Sequence, residues 1–223
     1  MKNLLSKRTL NKYSRQIILK DVGIIGQKKI FNSKILVVGA GGLGSPVIDL
    51  LVRAGVGFLG VIEDDKVDYS NLHRQTLYDY NDVGKYKSDV IKKKIKLIND
   101  KIKLKIFKER AKDKNLSKIL PKFDIIVDGT DNFQTKFLLN KYSLKYKKKL
   151  VIGAISKFDG HIFSFDFSQK KIPCLNCFYQ GMPSDEILNC EAEGILGPTA
   201  NVIGALQANE VLKIILGLNG IIK

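Results

Sequence analysis

The stretch Lys-Ile-Leu-Val-Val-Gly-Ala-Gly-Gly-Leu-Gly, residues 34–44, decides how this chain folds. Ile35 to Val38 read as a buried strand that empties directly into a G-x-G-x-x-G pattern. Gly39, Gly41 and Gly44 hold the three glycine places, with Gly42 between them. Gly39 permits the tight turn, and Gly41 lets backbone N–H groups approach a phosphate. Gly44 lets the next helix pack on the sheet with its N-terminus toward the anion. An acid is expected about 20 residues later for the ribose hydroxyls, and Glu63 ends the next apolar run, Phe58 to Ile62. A tight strand-to-helix turn without a ligand is the alternative. The acid in register favours a nucleotide site.

Outward from this stretch, strands and helices alternate. Ser45-Pro46 opens a helix to about Arg53, since Pro suits a first helical turn. Residues 64–86 form a long polar connection of the kind that carries function more often than it merely links. Ser88 is placed to cap a helix whose Ile91, Ile95 and Ile98 share one face. Ile102, Leu104 and Ile106 alternate with lysines as in a half-exposed strand. Phe123–Val127 and Leu150–Ile155 read as buried strands on either side of a helix from about Asn132 to Lys147. The pattern predicts an α/β fold with a Rossmann-like, mostly parallel sheet and helices on both faces. Phe163, Phe165 and Phe167 then alternate with Ser164 and Asp166, which adds C-terminal antiparallel strands. A last helix runs from about Thr199 to Leu216, with Gly217 as its stop. Residues 1–223 read as one domain, with 1–30 an N-terminal arm and 171–197 a loop that bears all three cysteines.

Composition narrows the class. With 223 residues and 44% hydrophobic content, one well-buried domain is expected. No apolar run approaches the roughly 18 residues of a membrane span, and Met-Lys-Asn-Leu-Leu-Ser-Lys-Arg has no secretory core. Three cysteines argue against a disulfide framework and for a reducing, cytoplasmic setting. The net charge of +16 raises the question of nucleic acid, yet only five of the 38 basic residues are Arg and the lysines are dispersed. A solvated surface is the simpler reading, and it leaves room for an acidic protein partner.

Chemistry-bearing residues stand in four groups: Tyr13-Ser14-Arg15-Gln16; Asn71-Leu72-His73-Arg74-Gln75 with Lys87; Asp128-Gly129-Thr130-Asp131-Asn132; and Cys174-Leu175-Asn176-Cys177 followed by Cys190. Ligands bind at strand C-termini in open α/β sheets, which puts Gly39–Gly44, Glu63 and residues 128–131 on one edge. Arg74 and Lys87 suit charge developing on phosphoryl oxygens, and a carboxylate there suits Mg²⁺. Asp128 could instead only cap the following helix. His73 reads as a packed polar residue rather than a base, and Cys190 alone reads as a small buried hydrophobe rather than a nucleophile.

In this order, the motifs resemble the ThiF/MoeB/HesA family, whose members activate ubiquitin-like sulfur carriers. The resemblance runs from Tyr13-Ser14-Arg15-Gln16-Ile17 to Leu216-Gly217 and also takes in Thr76-Leu77, Val83-Gly84 and Gly197-Pro198 through Gly204 to Gln207. It implies an ATP-dependent adenylyltransferase that converts a carrier's C-terminal glycine carboxylate to an acyl-adenylate and releases pyrophosphate. It places Gly41 and its neighbours on the phosphates and Glu63, in place of the more usual Asp, on the ribose. Asn71, Arg74 and Lys87 fall on phosphates, and Asp131 on Mg²⁺. Arg15 would reach into the partner's site of a homodimer. Cys190 matches a sulfur-transfer thiol of the thiamine branch, whereas the molybdopterin branch needs adenylation alone. Relatives pair two C-x-x-C motifs around zinc; here only Cys174 and Cys177 form such a pair, so full zinc occupancy is not expected. Two other readings are a family branch that activates a modified adenosine on transfer RNA and an NAD-dependent oxidoreductase. Hydride transfer would leave Arg74, Lys87 and Asp131 without a task.

Overall fold

The structure is a computed structural model that describes residues 5–169, 171–183 and 194–220. Three short N-terminal helices, α1 (Lys7–Lys12), α2 (Ser14–Ile17) and α3 (Gly23–Asn32), precede the first strand. The alternating part follows: β1 (Lys34–Val38), α4 (Gly44–Ala54), β2 (Phe58–Ile62), α5 (Lys87–Ile98), β3 (Lys103–Phe107), α6 (Asp113–Ile119), β4 (Ile125–Asp128), α7 (Phe133–Lys145) and β5 (Lys149–Ser156). The chain then turns back as β6 (Asp159–Asp166) and ends in α8 (Leu175–Tyr179) and α9 (Gly197–Leu216).

The six strands lie in the order β3-β2-β1-β4-β5-β6. All pairs are parallel except β5 with β6. β1 occupies the centre because its side chains are apolar on both faces. Ile35 and Val37 join the core under α4, α5 and α9, while Leu36 and Val38 join the core under α6 and α7. Continuous apolar runs of this kind belong to sheets covered on both sides. The antiparallel β6 is a half-covered edge, and it reads as alternation for that reason.

Four local readings change. The helix α5 starts one residue before Ser88, with Tyr86 at its cap position. Ser88 is buried inside the first turn, where its hydroxyl has no partner. Asp128 is no cap either: Asn132 caps α7 through a 2.8 Å bond from the Thr135 N–H. The strand anticipated at Phe123–Val127 forms two residues later. Helix α6 is an element the sequence pattern does not announce; its buried face is Leu116 and Ile119, with Leu120 buried just after its end.

The three glycine backbones at the top of β1 and β4 allow no side chains between them. Gly39 sits at φ +83°, a region that favours glycine. A Cβ on Gly44 would collide with the Gly39 carbonyl, and one on Gly129 would come within 2.8 Å of the same oxygen. Gly44→Ala is therefore expected to destabilise the fold by about 1–3 kcal/mol while leaving the helical circular-dichroism signal intact. Urea unfolding with an unchanged midpoint would contradict this packing.

Candidate active site

A cleft of about 1990 Å³ opens at the C-terminal edge of the parallel strands. Gly41, Glu63, Asn71, Arg74, Lys87 and Asp131 all line it, so five separate chain segments converge there. The glycine loop forms its floor. The Ala40 N–H donates to Glu63 Oε2 at 2.8 Å, and the Asp65 N–H donates to Glu63 Oε1 at 2.8 Å. Glu63 is buried, and each of its oxygens accepts one backbone N–H. The Ala40 carbonyl accepts from Ser45 Oγ at 3.1 Å and from the Tyr78 hydroxyl at 2.8 Å. Burial, with the Glu63 carboxylate nearby, pushes the Tyr78 phenol far above its usual range, so it remains a neutral donor.

The polar connection 64–86 is ordered by two acids. Asp68 and Asp79 cap short 3₁₀ turns at Tyr69–Asn71 and Tyr80–Asp82. In the first turn the Asn71 amide oxygen accepts the Asp68 N–H at 3.2 Å. The Arg74 guanidinium donates to the Ser70 carbonyl at 2.9 Å and lies 2.9 Å from His73 Nε2. His73 is exposed rather than packed, which corrects the expectation for it. Lys87 is the first residue of α5, and its side chain is only 6% exposed. Its Nζ stands 3.5 Å from Asp65 Oδ2, a near neighbour rather than a tight partner.

Glu63, Asp64 and Asp65 bring carboxylate oxygens within 4.8 Å of one another. Each already has a partner, since Asp64 meets Arg110 at 3.3 Å and Asp65 meets Lys87. Asp131 differs. It is exposed on the cleft and its Oδ1 accepts only a long 3.3 Å bond from the Asn132 amide. Asp128 is not on the cleft surface: it is wholly buried and paired with Lys136 at 2.9 Å. Sequence reasoning overlooked Lys136. The available signal was a lysine on the face of α7 that also carries Leu139, Asn140 and Ser143, all buried.

Arg15 does not line the cleft of its own chain. The neighbouring Gln16 donates to the Ala54 carbonyl at 3.2 Å, at the end of α4 remote from Gly44. An eleven-residue helix separates the two ends by roughly 16 Å. Ile18, Leu19 and Ile25 on the same arm are more than half exposed, as is Val202 on α9.

Cys174 and Cys177 bring their sulfurs to 3.7 Å. Two thiolates sharing one tetrahedral zinc at about 2.3 Å each would be about 3.8 Å apart. Partial burial raises the Cys174 thiol, but bonds from the Cys177 N–H, the Asn140 amide and the Cys177 thiol outweigh it, and its pKa falls below the usual value. Among the described residues, no cluster of three or more candidate ligands includes this pair. Cys190 lies outside the described residues.

Comparison with known proteins places the geometry in context. The ThiF family model matches residues 13–222. A sulfur carrier protein adenylyltransferase of Thermus thermophilus is 40% identical over 217 residues, which is 96% of this chain and 80% of that protein. A protein of Gracilaria tenuistipitata var. liui named "Probable molybdopterin-synthase adenylyltransferase" is 38% identical over 98% of this chain, which spans 61% of its length. An adenylyltransferase and sulfurtransferase MOCS3 of Culex quinquefasciatus is 40% identical, and this chain spans 51% of it. Among solved structures, E. coli MccB with ATP superposes with a TM-score of 0.80 at 28% identity, over 93% of this chain and 64% of that one.

The sulfur pair has a direct consequence for metal content. Among the described residues only Cys174 and Cys177 are brought together, and purified protein is expected to carry substoichiometric zinc after mild chelation. Elemental analysis giving one zinc per chain would mean that further ligands complete the site.

Proposed function

The chain belongs to the ThiF family, and from that membership we propose that it is an ATP-dependent adenylyltransferase. Its substrate is a small ubiquitin-like sulfur-carrier protein that serves thiamine or molybdopterin biosynthesis. The observation that carries this reading is the single cleft in which a glycine loop, two cations and one lightly bonded carboxylate meet. Its volume of about 1990 Å³ exceeds the roughly 300–1,000 Å³ of an ordinary small-molecule pocket. A nucleotide and the flexible end of a polypeptide both fit.

In the reaction, a carboxylate oxygen of the carrier's terminal glycine attacks the α-phosphorus of ATP. The bond from that phosphorus to the bridging oxygen breaks, and pyrophosphate leaves with the electron pair. Two anions must be brought together, so positioning and charge neutralisation supply most of the rate. The N–H groups around Gly41 and the N-terminus of α4 face the phosphates. Asn71, Arg74 and Lys87 contact phosphate oxygens, and Glu63, fixed by Ala40 and Asp65, offers its remaining lone pairs to the ribose. Mg²⁺ usually takes one or two carboxylates together with substrate phosphates, and the exposed Asp131 fits that habit. When bound there, the ion neutralises charge on the leaving phosphates.

Arg15 lies too far from its own cleft to take part and is assigned to the partner's site of a homodimer. The apolar surface of Ile18, Leu19 and Ile25 supports such an assembly. Cys190, by position in sequence, is assigned a sulfur-transfer role if the thiamine route applies.

Pyrophosphate exchange into ATP, measured with candidate sulfur carriers, tests the activity; tight NAD binding with no ATP binding would overturn it. Asp131→Ala should remain folded and lose exchange by several kcal/mol of transition-state stabilisation, and near wild-type exchange would remove it from the mechanism. For Arg15, inactive Arg15→Ala mixed with inactive Asp131→Ala should regain activity, because a heterodimer has one intact site. No recovery at any ratio, with subunit exchange demonstrated, would place Arg15 outside catalysis.

A further inference from the structure

We propose that Lys136 is a positioning residue for this reaction: its buried ammonium holds residues 128–132 so that Asp131 faces the cleft. The proposal rests on the assignment of Asp131 to Mg²⁺ given above. Lys136 is 2% exposed, and all three of its protons have placed acceptors. Nζ donates to Asp128 Oδ2 at 2.9 Å, to the Thr130 carbonyl at 2.7 Å and to the Gly153 carbonyl at 2.7 Å. Asp128 grips the same loop from the other side. Its Oδ1 accepts the Thr130 N–H at 2.9 Å and the Thr130 hydroxyl at 2.6 Å. Thr130 is thus fixed at its N–H, hydroxyl and carbonyl, one residue before Asp131.

The reach of this ammonium goes beyond one loop. Gly153 precedes Ala154 and Ile155, which line the cleft on β5. From α9, the Gln207 amide donates to the Asp128 carbonyl at 2.8 Å and fills the space beside Gly153. One cation therefore ties the end of β4 and the middle of β5 to the start of α7. Stability alone does not account for a lysine here. A buried ion pair is often no better than well-packed apolar residues of similar volume. A cation in the first turn of a helix also opposes the helix dipole. What charge-assisted bonds supply that apolar contacts do not is direction.

The test compares Lys136→Met, the double variant D128N/K136M and Asp131→Ala in the 223-residue chain. Thermal unfolding, ATP binding by calorimetry with and without Mg²⁺, and exchange rate against Mg²⁺ concentration are the three readouts. Lys136→Met leaves Asp128 uncompensated and should lower the melting temperature; the double variant removes both charges and should regain it. Both should bind ATP without Mg²⁺ as the wild type does, and both should lose the gain in affinity that Mg²⁺ confers. Their maximal exchange should fall by about a hundredfold, and Asp131→Ala added to the double variant should change little further. A double variant that recovers stability together with wild-type Mg²⁺ dependence and exchange would reduce the pair to a structural role. Wild-type protein that binds ATP indifferently to Mg²⁺ and exchanges no pyrophosphate would overturn the functional reading, and this proposal with it.

Discussion

Close approach of backbone to backbone at the top of the sheet governs the rest of the molecule. Gly39, Gly44 and Gly129 come from the end of β1, the start of α4 and the end of β4, and their main chains touch where side chains would stand. Because β1 and β4 are parallel neighbours in register, with Val38 opposite Asp128, the two loops leave the sheet at one level. The N–H groups that open α4 and the carboxylate of Asp131 are thereby brought over the same floor. Neither loop could carry its chemistry if the other were displaced by even a methyl group.

Charge in this chain is divided between two regimes. Most of the +16 excess sits on exposed lysines, where water and salt screen it. Inside, each charge has an identified neighbour: Lys136 with Asp128, Glu63 with two backbone N–H groups, and Lys87 with Asp65 at a looser 3.5 Å. The separation explains why a strongly basic composition says little about the cleft. On the cleft, Glu63 and Lys87 are buried and individually placed.

The parallel sheet was legible because its inner strands are apolar on both faces, as in Ile35–Val38, where no residue is more than 2% exposed. Glu63 could be found from spacing alone. Arg74 and Lys87 could be found only as members of a polar segment too long to be idle. Sequence pattern failed where the partner is distant. Nothing local to Asp128 says that, besides the Thr130 N–H of its own turn, it meets Lys136 in the next helix. Ser88 failed for a related reason, because tertiary packing drew it into the helix it was expected to cap. Helix α6 was missed because its buried face rests on two residues, Leu116 and Ile119, too few for a periodicity to stand out.

Glu63 has a consequence for the thermodynamics of ligand capture. Its two oxygens clamp the Ala40 and Asp65 N–H groups, and Tyr78 and Ser45 clamp the Ala40 carbonyl. A floor that is already ordered loses little conformational entropy when an incoming molecule settles on it. Under the binding mode proposed above, the freedom surrendered on association belongs to the ligand's own torsions and to the side chains of Arg74 and Asp131. Affinity differences among nucleotides should accordingly follow their intrinsic stiffness and charge rather than any reshaping of the sheet edge.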